Sequence, residues 1–555
     1  MPEEHSSSNG HICSPKQHHA VVVPWPGQGH INPLLHLSRT LASLHGFSIT
    51  FVTLDYTHRL LLKSLQNELA PELQASKPAA AAKLDIKFVG VPSGIPAAAS
   101  YTGDVPVLCA GLHHSAPAFE RLVAELRPPP TCIISDIFVE HTQDAANKLG
   151  IPRVAFWTQS SASFAAHLAA ARACFQQWEE GKLIDNIAGA PPLRFKDLPS
   201  FLQPYKEPAD FMFRFSVQPF TRLEEAEASS PAGIFQRSKL SNSDFNTTPG
   251  FWKEDYSCLK WLDAQQEGSV LYVSFGSIAL LTEEELHEFA LGLEATGFPV
   301  LWVLRPGLLE GGDTCHCLLA LRSASKGACT SSIGLRSFTF LAHPSVGAFF
   351  THAGWNSTLE GISQGKPLLG FPYFAEQMLN CRCVQDLWGN GLALERHGEG
   401  LLTRSLVESN VRTLMSDPKL RETVVVLRDG ARRAVLGSDL RHFVEFLPSS
   451  TQTEAEEEDV VQAKDKVVVV VVATKIKVSS SINQMMHNGQ TIVDVEIIEA
   501  RGVKEVAKIT KVLIQIMKTE NVGVVEEQIT LNVTIHQETR VVEDSKTIMH
   551  LLAEM

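Results

Sequence analysis

The sequence shows no excess of positive charge, no long apolar run and no apolar leader at its amino terminus. Its formal net charge is −13 at pH 7, which argues against a general nucleic-acid-binding protein, although a local basic patch is compatible with that total. No apolar run reaches the ~18 residues that a membrane-spanning helix requires. Residues 1–19 are polar and do not resemble a signal peptide, so we predict that they are disordered. These absences predict a cytoplasmic protein.

The sequence also lacks the residue spacings that are typical of metal sites. Its 10 cysteines are scattered along the chain. Cys381 and Cys383 are separated by one residue, which is too close for a C-x-x-C redox or metal motif. No Asp-x-Asp pair offers itself as a metal site either. We therefore expect reduced thiols, no bound metal and no resident cofactor.

Apolar runs that end in glycine turns alternate with helical patterns along most of the chain. A length of 555 residues predicts two or three domains, because single hydrophobic cores rarely grow beyond ~250–300 residues. One alternating series occupies 20–250 and a second occupies 251–448. Such alternation predicts parallel sheets that are covered by helices on both faces. The sequence therefore predicts an α/β fold with two Rossmann-like domains facing a cleft.

The individual elements follow from the same periodicity. In the first domain we predict strands at 21–23, 48–53, 132–136 and 152–156, with helices at 34–44 and 142–149. In the second domain we predict strands at 270–277, 298–304 and 346–350. Thr282 is followed by three glutamates and is a predicted helix N-cap. Another helix is predicted to begin near Asn356.

The character of the sequence changes after Pro448. Residues 449–466 are rich in glutamate and form a predicted acidic linker. Residues 467–555 predict a small α+β domain of β-β-α-β order, with strands at 475–478, 495–498 and 528–535 and a helix at 503–516. This domain faintly resembles the Alba nucleic-acid-binding fold around 498–502. Nucleic-acid binding would be confined to this domain, with phosphate contacts from Lys475, Lys477, Arg501, Lys504 and Lys508. Fusion of two neighbouring genes is an alternative origin for this segment.

Two polar residues lie at the carboxyl ends of predicted strands in the first domain. His30 follows the first strand through a turn that contains Gly27 and Gly29, and Asp136 ends the strand at 132–136. Ligands of open α/β sheets bind at this edge. A histidine there can accept a proton near neutral pH, and an aspartate can orient its imidazole. A hydrogen-bonded structural histidine is the alternative when the turn is considered alone.

A second polar cluster follows the strand at 346–350. The stretch from Thr351 to Glu360 reads THAGWNSTLE, so a histidine, an asparagine and a serine surround the predicted start of a helix. Free backbone N–H groups and the helix dipole make such an N-terminus a natural phosphate site. The cluster therefore predicts binding of a phosphorylated ligand.

This cluster, continued through Pro367, Pro372, Glu376 and Gln377, resembles the second half of the plant secondary-product signature box. The box belongs to family-1 UDP-dependent glycosyltransferases, whose fold is called GT-B. The resemblance covers about 20–446. It implies that the domain at 20–250 binds an acceptor and that the domain at 251–448 binds a UDP-sugar.

The resemblance also implies roles for individual residues. His30 matches the catalytic histidine within a G-x-G-H-x-x-P pattern, and Asp136 matches the activating aspartate. His352 and Ser277 match the ligands of the diphosphate, and Glu360 matches the carboxylate that holds the ribose. The remaining implied donor-binding residues, for the phosphates and the sugar hydroxyls, are Gly354, Trp355, Asn356, Ser357, Glu376 and Gln377. Core packing is an alternative for Trp355.

The implied enzyme is a UDP-dependent hexosyltransferase of plant secondary metabolism that inverts the anomeric carbon. UDP-sugar would be a co-substrate, and a glutamine at the position of Gln377 commonly accompanies glucose. The acceptor would be a small lipophilic hydroxyl compound, such as a flavonoid, a terpenoid or a hormone-like molecule. Phe138, Trp157 and Phe164 are candidates either for the acceptor pocket or for the core.

One segment departs from the family pattern. Residues 312–340 show neither helical nor strand periodicity and lack the W-x-P-Q segment that normally supports the uracil. Two explanations are open, an error in the gene model and a genuine insertion. Loss of base stacking would weaken donor binding ~10- to 100-fold, so a catalytically impaired nucleotide-binding homologue is the alternative function. A second departure lies at 226–244, where the family has a further strand.

Overall fold

The structure of the chain is a computed structural model. It describes residues 18–68, 84–96, 104–172, 178, 181–203, 211–222, 228–231, 258–304, 308–309, 337–395, 402–435, 468–469, 491–497 and 529–535. Among these, 18–158 belong to a first compact unit and 159–435 belong to a second. The units thus divide at Thr158, and the domain boundary predicted at residue 250 stays a prediction.

The first unit is built on parallel strands that lie in the order β5-β4-β1-β2-β3. Its strands are β1 His19–Val23, β2 Ser48–Leu54, β3 Ile86–Val91, β4 Cys132–Asp136 and β5 Arg153–Trp157. Its helices are α1 Gln28–His45, α2 Asp55–Glu68, α3 Val105–Glu125 and α4 His141–Leu149. All five residues of β1, β4 and β5 are buried, as expected for parallel strands covered on both faces.

Helix α1 begins earlier than the sequence predicts. The expected start at residue 34 is wrong, because Gly27 is already the extended N-cap of the helix. The Gly27 carbonyl accepts hydrogen bonds from the N–H groups of His30 at 3.0 Å and Ile31 at 2.9 Å. Pro33 lies inside the helix, one residue before the predicted start. His30 is therefore fixed in the first turn of a helix rather than in a turn before it.

The second unit contains a five-stranded parallel sheet of order β11-β10-β9-β7-β8. The strands of this unit are β6 Ala228–Pro231, β7 Val270–Ser274, β8 Val300–Trp302, β9 Val346–Thr351, β10 Leu368–Gly370 and β11 Gly391–Ala393. The helices are α5 Ser161–Ala171, α6 Phe211–Thr221, α7 Leu259–Asp263, α8 Glu283–Thr296, α9 Ser337–Leu341, α10 Trp355–Ser363, α11 Gln377–Arg382, α12 Arg404–Ser416 and α13 Pro418–Val435. Short 3₁₀ turns occupy Phe195–Asp197 and Ser200–Leu202, and a π-helical turn occupies Cys383–Leu387.

Strand β7 shows why this sheet is stable. Leu271 and Val273 belong to one hydrophobic cluster, whereas Val270 and Tyr272 belong to another. Successive side chains of a strand point to opposite faces, so β7 contributes to a buried layer on each side of the sheet. Helix α8, which covers part of one face, begins at Thr282 with the predicted cap, and Glu285 completes a capping box.

Four sequence predictions are changed or left open. Within 312–340, which was expected to lack regular structure, residues 337–340 lie in helix α9, and 310–336 lie outside the described residues. Within 226–244, where a strand was expected to be missing, β6 is present. Of the segment 1–19 that was predicted to be disordered, residues 1–17 fall outside the described residues, whereas the end of the prediction is wrong because His19 already belongs to β1. The acidic linker predicted at 449–466 also falls outside the described residues.

The carboxyl-terminal segment is described at β12 Val468–Val469, β13 Thr491–Ile497 and β14 Ile529–Ile535. β13 and β14 pair in parallel over their full lengths. The predicted strand at 528–535 coincides with β14, and the predicted helix at 503–516 lies outside the described residues. The Alba-like domain and its nucleic-acid binding stay predictions. No helix that the structure describes is long and apolar enough to span a membrane.

An ionic cluster ties the segment before the first 3₁₀ turn to the end of β11 within the second unit. Arg194 donates to Asp197 at 2.7 Å and to Glu395 at 2.6 Å. Lys196 also contacts Glu395, at 2.9 Å. The hydrogen bond from Arg194 is the main reason why the pKa of Glu395 is lowered to about 2. This carboxylate therefore stabilises the fold in its ionised form.

Replacing Glu395 by glutamine should lower the free energy of unfolding at pH 7 by about 1 kcal/mol, since water screens partly exposed ion pairs. The pKa of Glu395 is lower in the folded than in the unfolded chain. Its stabilisation is thus present above pH ~4.3 and is lost as the pH falls towards 2. Urea denaturation at several pH values should show the difference between Glu395→Gln and the unmodified chain shrinking over that window.

Glu408→Gln is the matched control, because among the described residues Glu408 forms an ion pair only with Arg412 of its own helix. Glu408→Gln should lower the free energy of unfolding by less, about 0.3–0.5 kcal/mol. Equal losses in the two variants would show that the cluster around Glu395 contributes nothing beyond an ordinary surface pair.

Candidate active site

His30 and Asp136 are in direct contact in the first unit. The His30 Nδ1 atom lies 2.7 Å from Asp136 Oδ2, and the two side chains are 19% and 0% exposed respectively. An ionised carboxylate can only accept a hydrogen bond, so the ring carries its proton on Nδ1. The Nε2 atom then holds the lone pair, and the partly exposed imidazole can accept a proton from a ligand. The predicted pairing of these residues is confirmed as a contact.

Asp136 is held at the end of β4 by its neighbours. Its Oδ1 atom accepts a hydrogen bond from the Phe138 N–H at 3.0 Å. The guanidinium of Arg153, which is 5% exposed, donates to the Asp136 carbonyl at 3.2 Å and to Ser135 Oγ at 2.8 Å. Both the carboxylate and the backbone of Asp136 are thus fixed, which in turn fixes the imidazole.

Three further residues surround His30 that sequence reasoning did not identify as its neighbours. Thr158 Oγ1 lies 3.0 Å from His30 Nδ1, next to the bond with Asp136. The ring of Trp25 lies 5.0 Å from the imidazole, and the ring of Phe138 lies 6.1 Å from it. The position of Trp25 after β1 was visible in the sequence, but Thr158 is 128 residues from His30. Only the order of the strands brings Thr158 close.

In the second unit, His352 lies between two glycines. A Cβ atom at Gly276 would be 2.6 Å from His352 Cε1, and one at Gly354 would be 2.5 Å from His352 Nε2. Real Cβ contacts are essentially never shorter than 3.0 Å, so both positions need glycine. β7 and β9 are paired in parallel, with Ser274 opposite Thr351. The loops after these strands, which carry Ser277 and His352, therefore lie side by side.

Ala353 has a left-handed backbone with φ 59°. Its N–H donates to Thr351 Oγ1 at 3.3 Å, and its carbonyl accepts from Asn380 Nδ2 at 3.0 Å and from Thr358 Oγ1 at 3.4 Å. L residues rarely adopt this conformation, which persists where the surroundings hold it. The bend at Ala353 turns the chain from β9 into α10, whose N-cap is Gly354.

Helix α10 carries four of the nine predicted donor residues, and its N-cap Gly354 is a fifth. Trp355, Asn356 and Ser357 form its first turn, and Glu360 follows Asn356 by one turn, which places the two on the same face. All four are half-buried. The ring of Trp355 lies 6.1 Å from that of Trp388. The N-terminus of α10 thus offers N–H groups and polar side chains together, as a phosphate site requires.

Glu376 and Gln377 bond to the protein backbone in this structure. Glu376 Oε1 accepts from the Trp355 N–H at 3.2 Å, at the start of α10. Gln377 Oε1 accepts from the N–H groups of Tyr373 at 2.8 Å and Phe374 at 3.2 Å. The carboxylate and the amide are therefore oriented by the loop before α11, and the structure brings Glu376 to the same helix N-terminus as the predicted phosphate ligands.

The three aromatic candidates for the acceptor pocket are all buried. Phe138, Trp157 and Phe164 are 8%, 1% and 9% exposed. Trp157 is a core residue, whose ring packs 5.6 Å from that of Phe138. Phe164 packs against Phe220 in the second unit, at 5.2 Å. Phe138 is buried, and its ring also lies beside the imidazole of His30; its place in an acceptor pocket stays a prediction.

Among the residues that the structure describes, no group of three or more histidine, cysteine or acidic side chains could hold a metal ion. Burial raises the pKa of Cys383 to about 12 and that of Cys109 to about 11. These two thiols are therefore protonated and unreactive at neutral pH.

Two family models match the sequence. The model for UDP-glucuronosyl and UDP-glucosyl transferases matches 237–432, and the model for the glycosyltransferase N-terminal domain matches 17–143. The first match includes the strand-end loops of Ser277 and His352. The second includes His30 and Asp136.

Curated plant proteins are similar over most of their length. The chain is 34% identical over 457 residues to 7-deoxyloganetin glucosyltransferase of Gardenia jasminoides, a match covering 74% of this chain and 92% of the relative. It is 32% identical over 451 residues to (R)-mandelonitrile beta-glucosyltransferase of Prunus dulcis, covering 73% and 90% respectively.

Solved structures share the fold. UGT2 of Phytolacca americana, complexed with UDP-2-fluoro-glucose and pterostilbene, is 25% identical with a TM-score of 0.61, covering 77% of this chain and 98% of that one. The chain belongs to the plant family-1 UDP-dependent glycosyltransferases and has the GT-B fold. It is a UDP-dependent glycosyltransferase, as the sequence predicted.

Replacing Gly276 by alanine should destabilise the second unit by more than the unfavourable left-handed backbone of alanine does by itself. Gly276 has φ +71°, and Gly297 has φ +70° with nothing within 4 Å of an added Cβ. Gly297→Ala should therefore cost only the ~1–2 kcal/mol of a left-handed alanine. Gly276→Ala should cost a further ~1–3 kcal/mol because its Cβ overlaps His352. Urea denaturation of both variants measures the difference.

Equal unfolding free energies for Gly276→Ala and Gly297→Ala would contradict the packing of His352 against Gly276. Gly297 is a suitable comparison because it lies in the same unit, at the C-terminus of α8. The difference between the variants thus isolates the contact with the imidazole.

Proposed function

We propose that the chain transfers a hexose, glucose in the first instance, from a UDP-sugar to a hydroxyl group of a small lipophilic acceptor with inversion. The observation that carries this proposal is the 2.7 Å contact between His30 Nδ1 and Asp136 Oδ2. It supplies an oriented general base in a chain that belongs to a family of UDP-sugar transferases. The base needs no nucleophilic residue, because the acceptor hydroxyl is itself the nucleophile.

The proposed reaction is a single displacement. The acceptor oxygen attacks the anomeric carbon while its proton passes to His30 Nε2. The bond between that carbon and the β-phosphate oxygen breaks, and its electron pair leaves with UDP. Asp136 stabilises the imidazolium that forms, since its carboxylate accepts the Nδ1 proton in a hydrogen bond. General-base catalysis of this kind contributes ~10²–10⁴-fold in rate.

On the donor side, the proposed diphosphate ligands are His352, Ser277 and the first turn of α10. Fixed N–H groups and side-chain donors at this N-terminus would stabilise the charge that develops on the leaving diphosphate. Glu360 would hold the ribose hydroxyls. Glu376 and Gln377 would bind the sugar hydroxyls.

The relatives support the finer points of the proposal. Both relatives compared above are glucosyltransferases by name, and one forms a beta-glucoside of mandelonitrile. UDP-glucose carries its sugar as an α-glycoside, so a β product requires inversion. Deoxyloganetin and mandelonitrile are small hydroxyl compounds, which is the acceptor class proposed for this chain. Phe138 supports the same class, because its ring provides an apolar surface beside His30.

Replacing His30 by alanine should reduce transfer from UDP-glucose to a panel of small hydroxyl acceptors at least ~10²-fold, because the general base is lost. Affinity for UDP should be nearly unchanged, since the proposed diphosphate ligands are elsewhere in the sequence. Product formation by liquid chromatography and UDP binding by calorimetry provide the two measurements. His36→Ala, in the same helix α1, is the control and should keep full activity.

Retained turnover in His30→Ala would refute the assignment of the base. An unmodified protein that binds UDP-glucose but transfers nothing to any acceptor, and does not hydrolyse it, would instead favour the impaired nucleotide-binding homologue.

A further inference from the structure

Ser200 forms two hydrogen bonds with the loop that precedes α11. The Ser200 N–H donates to the Ala375 carbonyl at 2.8 Å, and the Ala375 N–H donates to Ser200 Oγ at 2.7 Å. Both backbone polar groups of Ala375 are therefore satisfied by one residue that is 175 positions away in sequence. Ala375 is only 7% exposed, so water is a poor substitute for these bonds.

Ala375 needs this support because its backbone is left-handed, with φ 55°. Such a conformation is unfavourable for alanine and persists where neighbouring groups hold it in place. Ala375 directly precedes Glu376 and Gln377. Its backbone angles therefore set the direction in which the next two side chains leave the loop.

The segment that carries Ser200 is itself rigidly held. Leu198 and Leu202, on either side of Ser200, are buried in a hydrophobic cluster that also contains Leu379 of α11. Asp197 is fixed by Arg194, with a contact of 2.7 Å. Ser200 thus lies in a packed segment of the same unit. If the loop that carries Ala375 moved, its two hydrogen bonds with Ser200 would break, because Ser200 cannot follow.

We infer that Ser200 is a positioning residue for Glu376 and Gln377 as ligands of the transferred sugar. The inference rests on the proposed function, which assigns the sugar hydroxyls to these two residues. Among the described residues, Ser200 bonds to Ala375 and not to the loops of His352 and Ser277, which are proposed to bind the diphosphate. Ser200 should therefore affect the affinity for UDP-glucose and leave the affinity for UDP unchanged.

The test compares the dissociation constants of UDP-glucose and UDP by calorimetry, which requires no knowledge of the acceptor. Ser200→Ala removes the acceptor of the Ala375 N–H and should weaken UDP-glucose about 5- to 10-fold, with UDP affected less than about 2-fold. Ser200→Thr keeps the hydroxyl and should restore the affinity for UDP-glucose. Ser269→Ala, whose hydroxyl bonds a carbonyl in an exposed loop of the same unit, should change neither constant.

Ala375→Gly adds a second and independent arm. Glycine adopts the left-handed conformation without strain, so Ser200→Ala combined with Ala375→Gly should recover part of the lost affinity for UDP-glucose. Equal weakening of UDP and UDP-glucose by Ser200→Ala would indicate a merely structural role and overturn the inference. Unchanged binding of both ligands would overturn it as well.

Two further variants test the inference if Ser200→Ala does not fold, and test separately whether Glu376 binds the sugar. If Ser200→Ala does not fold, Ser200→Cys preserves the side-chain volume with a weak acceptor and should show the same selective loss. Glu376→Gln tests the underlying assignment, because it should weaken UDP-glucose and not UDP. Failure of Glu376→Gln would remove the basis of the inference, whereas its success together with a silent Ser200→Ala would refute the role of Ser200 alone.

Discussion

Burial of both faces of the parallel sheets is the constraint on which the rest of the structure depends. β1, β4 and β5 are fully buried, and β7 contributes alternate side chains to two separate cores. Polar groups are therefore excluded from the middle of these strands unless they are paired. They appear where the strands end, which is where His30, Asp136 and His352 lie. The position of the chemistry thus follows from the packing of the sheets.

The loops at these strand ends keep their shape through unfavourable backbone conformations. Among the described residues, Ala353 and Ala375 are the non-glycine residues with positive φ. Each adjoins a predicted donor residue, and each has both backbone polar groups hydrogen-bonded. The Ala353 N–H is bonded to the neighbouring Thr351 and its carbonyl to Asn380, whereas both groups of Ala375 are bonded to Ser200. Strain of this kind is typical of ligand-binding loops. The hydrogen bonds that hold the alanines therefore determine how the second unit presents its polar groups.

The sequence predicted some strands closely and others too long. The strand predicted at 270–277 ends at Ser274, where the chain enters the loop of Gly276, and the strand predicted at 298–304 is confined to Val300–Trp302. The strands at 48–53, 132–136 and 346–350 are present within one residue of their predicted ends. β10 and β11 have three residues each, which is too short for a period of two to stand out. The start of helix α1 was predicted too late, because the helix already begins after its N-cap Gly27 and includes Pro33.

The sequence motifs indicated the candidate site residues, but they did not reveal the long-range contacts that hold those residues in place. The pairing of His30 with Asp136 could be anticipated because parallel strands end at a common edge. The contact of Thr158 with His30 and that of Ser200 with Ala375 join residues 128 and 175 positions apart. No periodicity or spacing encodes such pairs, because they depend on how strands and loops pack in three dimensions.

The two sets of candidate residues depend on different physical effects. The His30 set depends on a charged acceptor, since the buried carboxylate of Asp136 accepts the hydrogen bond from Nδ1 and so fixes the tautomer of the imidazole. The set around α10 depends on geometry, since glycines at 276 and 354 leave room for His352 and the helix N-terminus supplies N–H groups. A neutral isostere such as asparagine therefore damages the first set while preserving its shape. In the second set, a single added methyl group is enough to displace the imidazole without any change of charge.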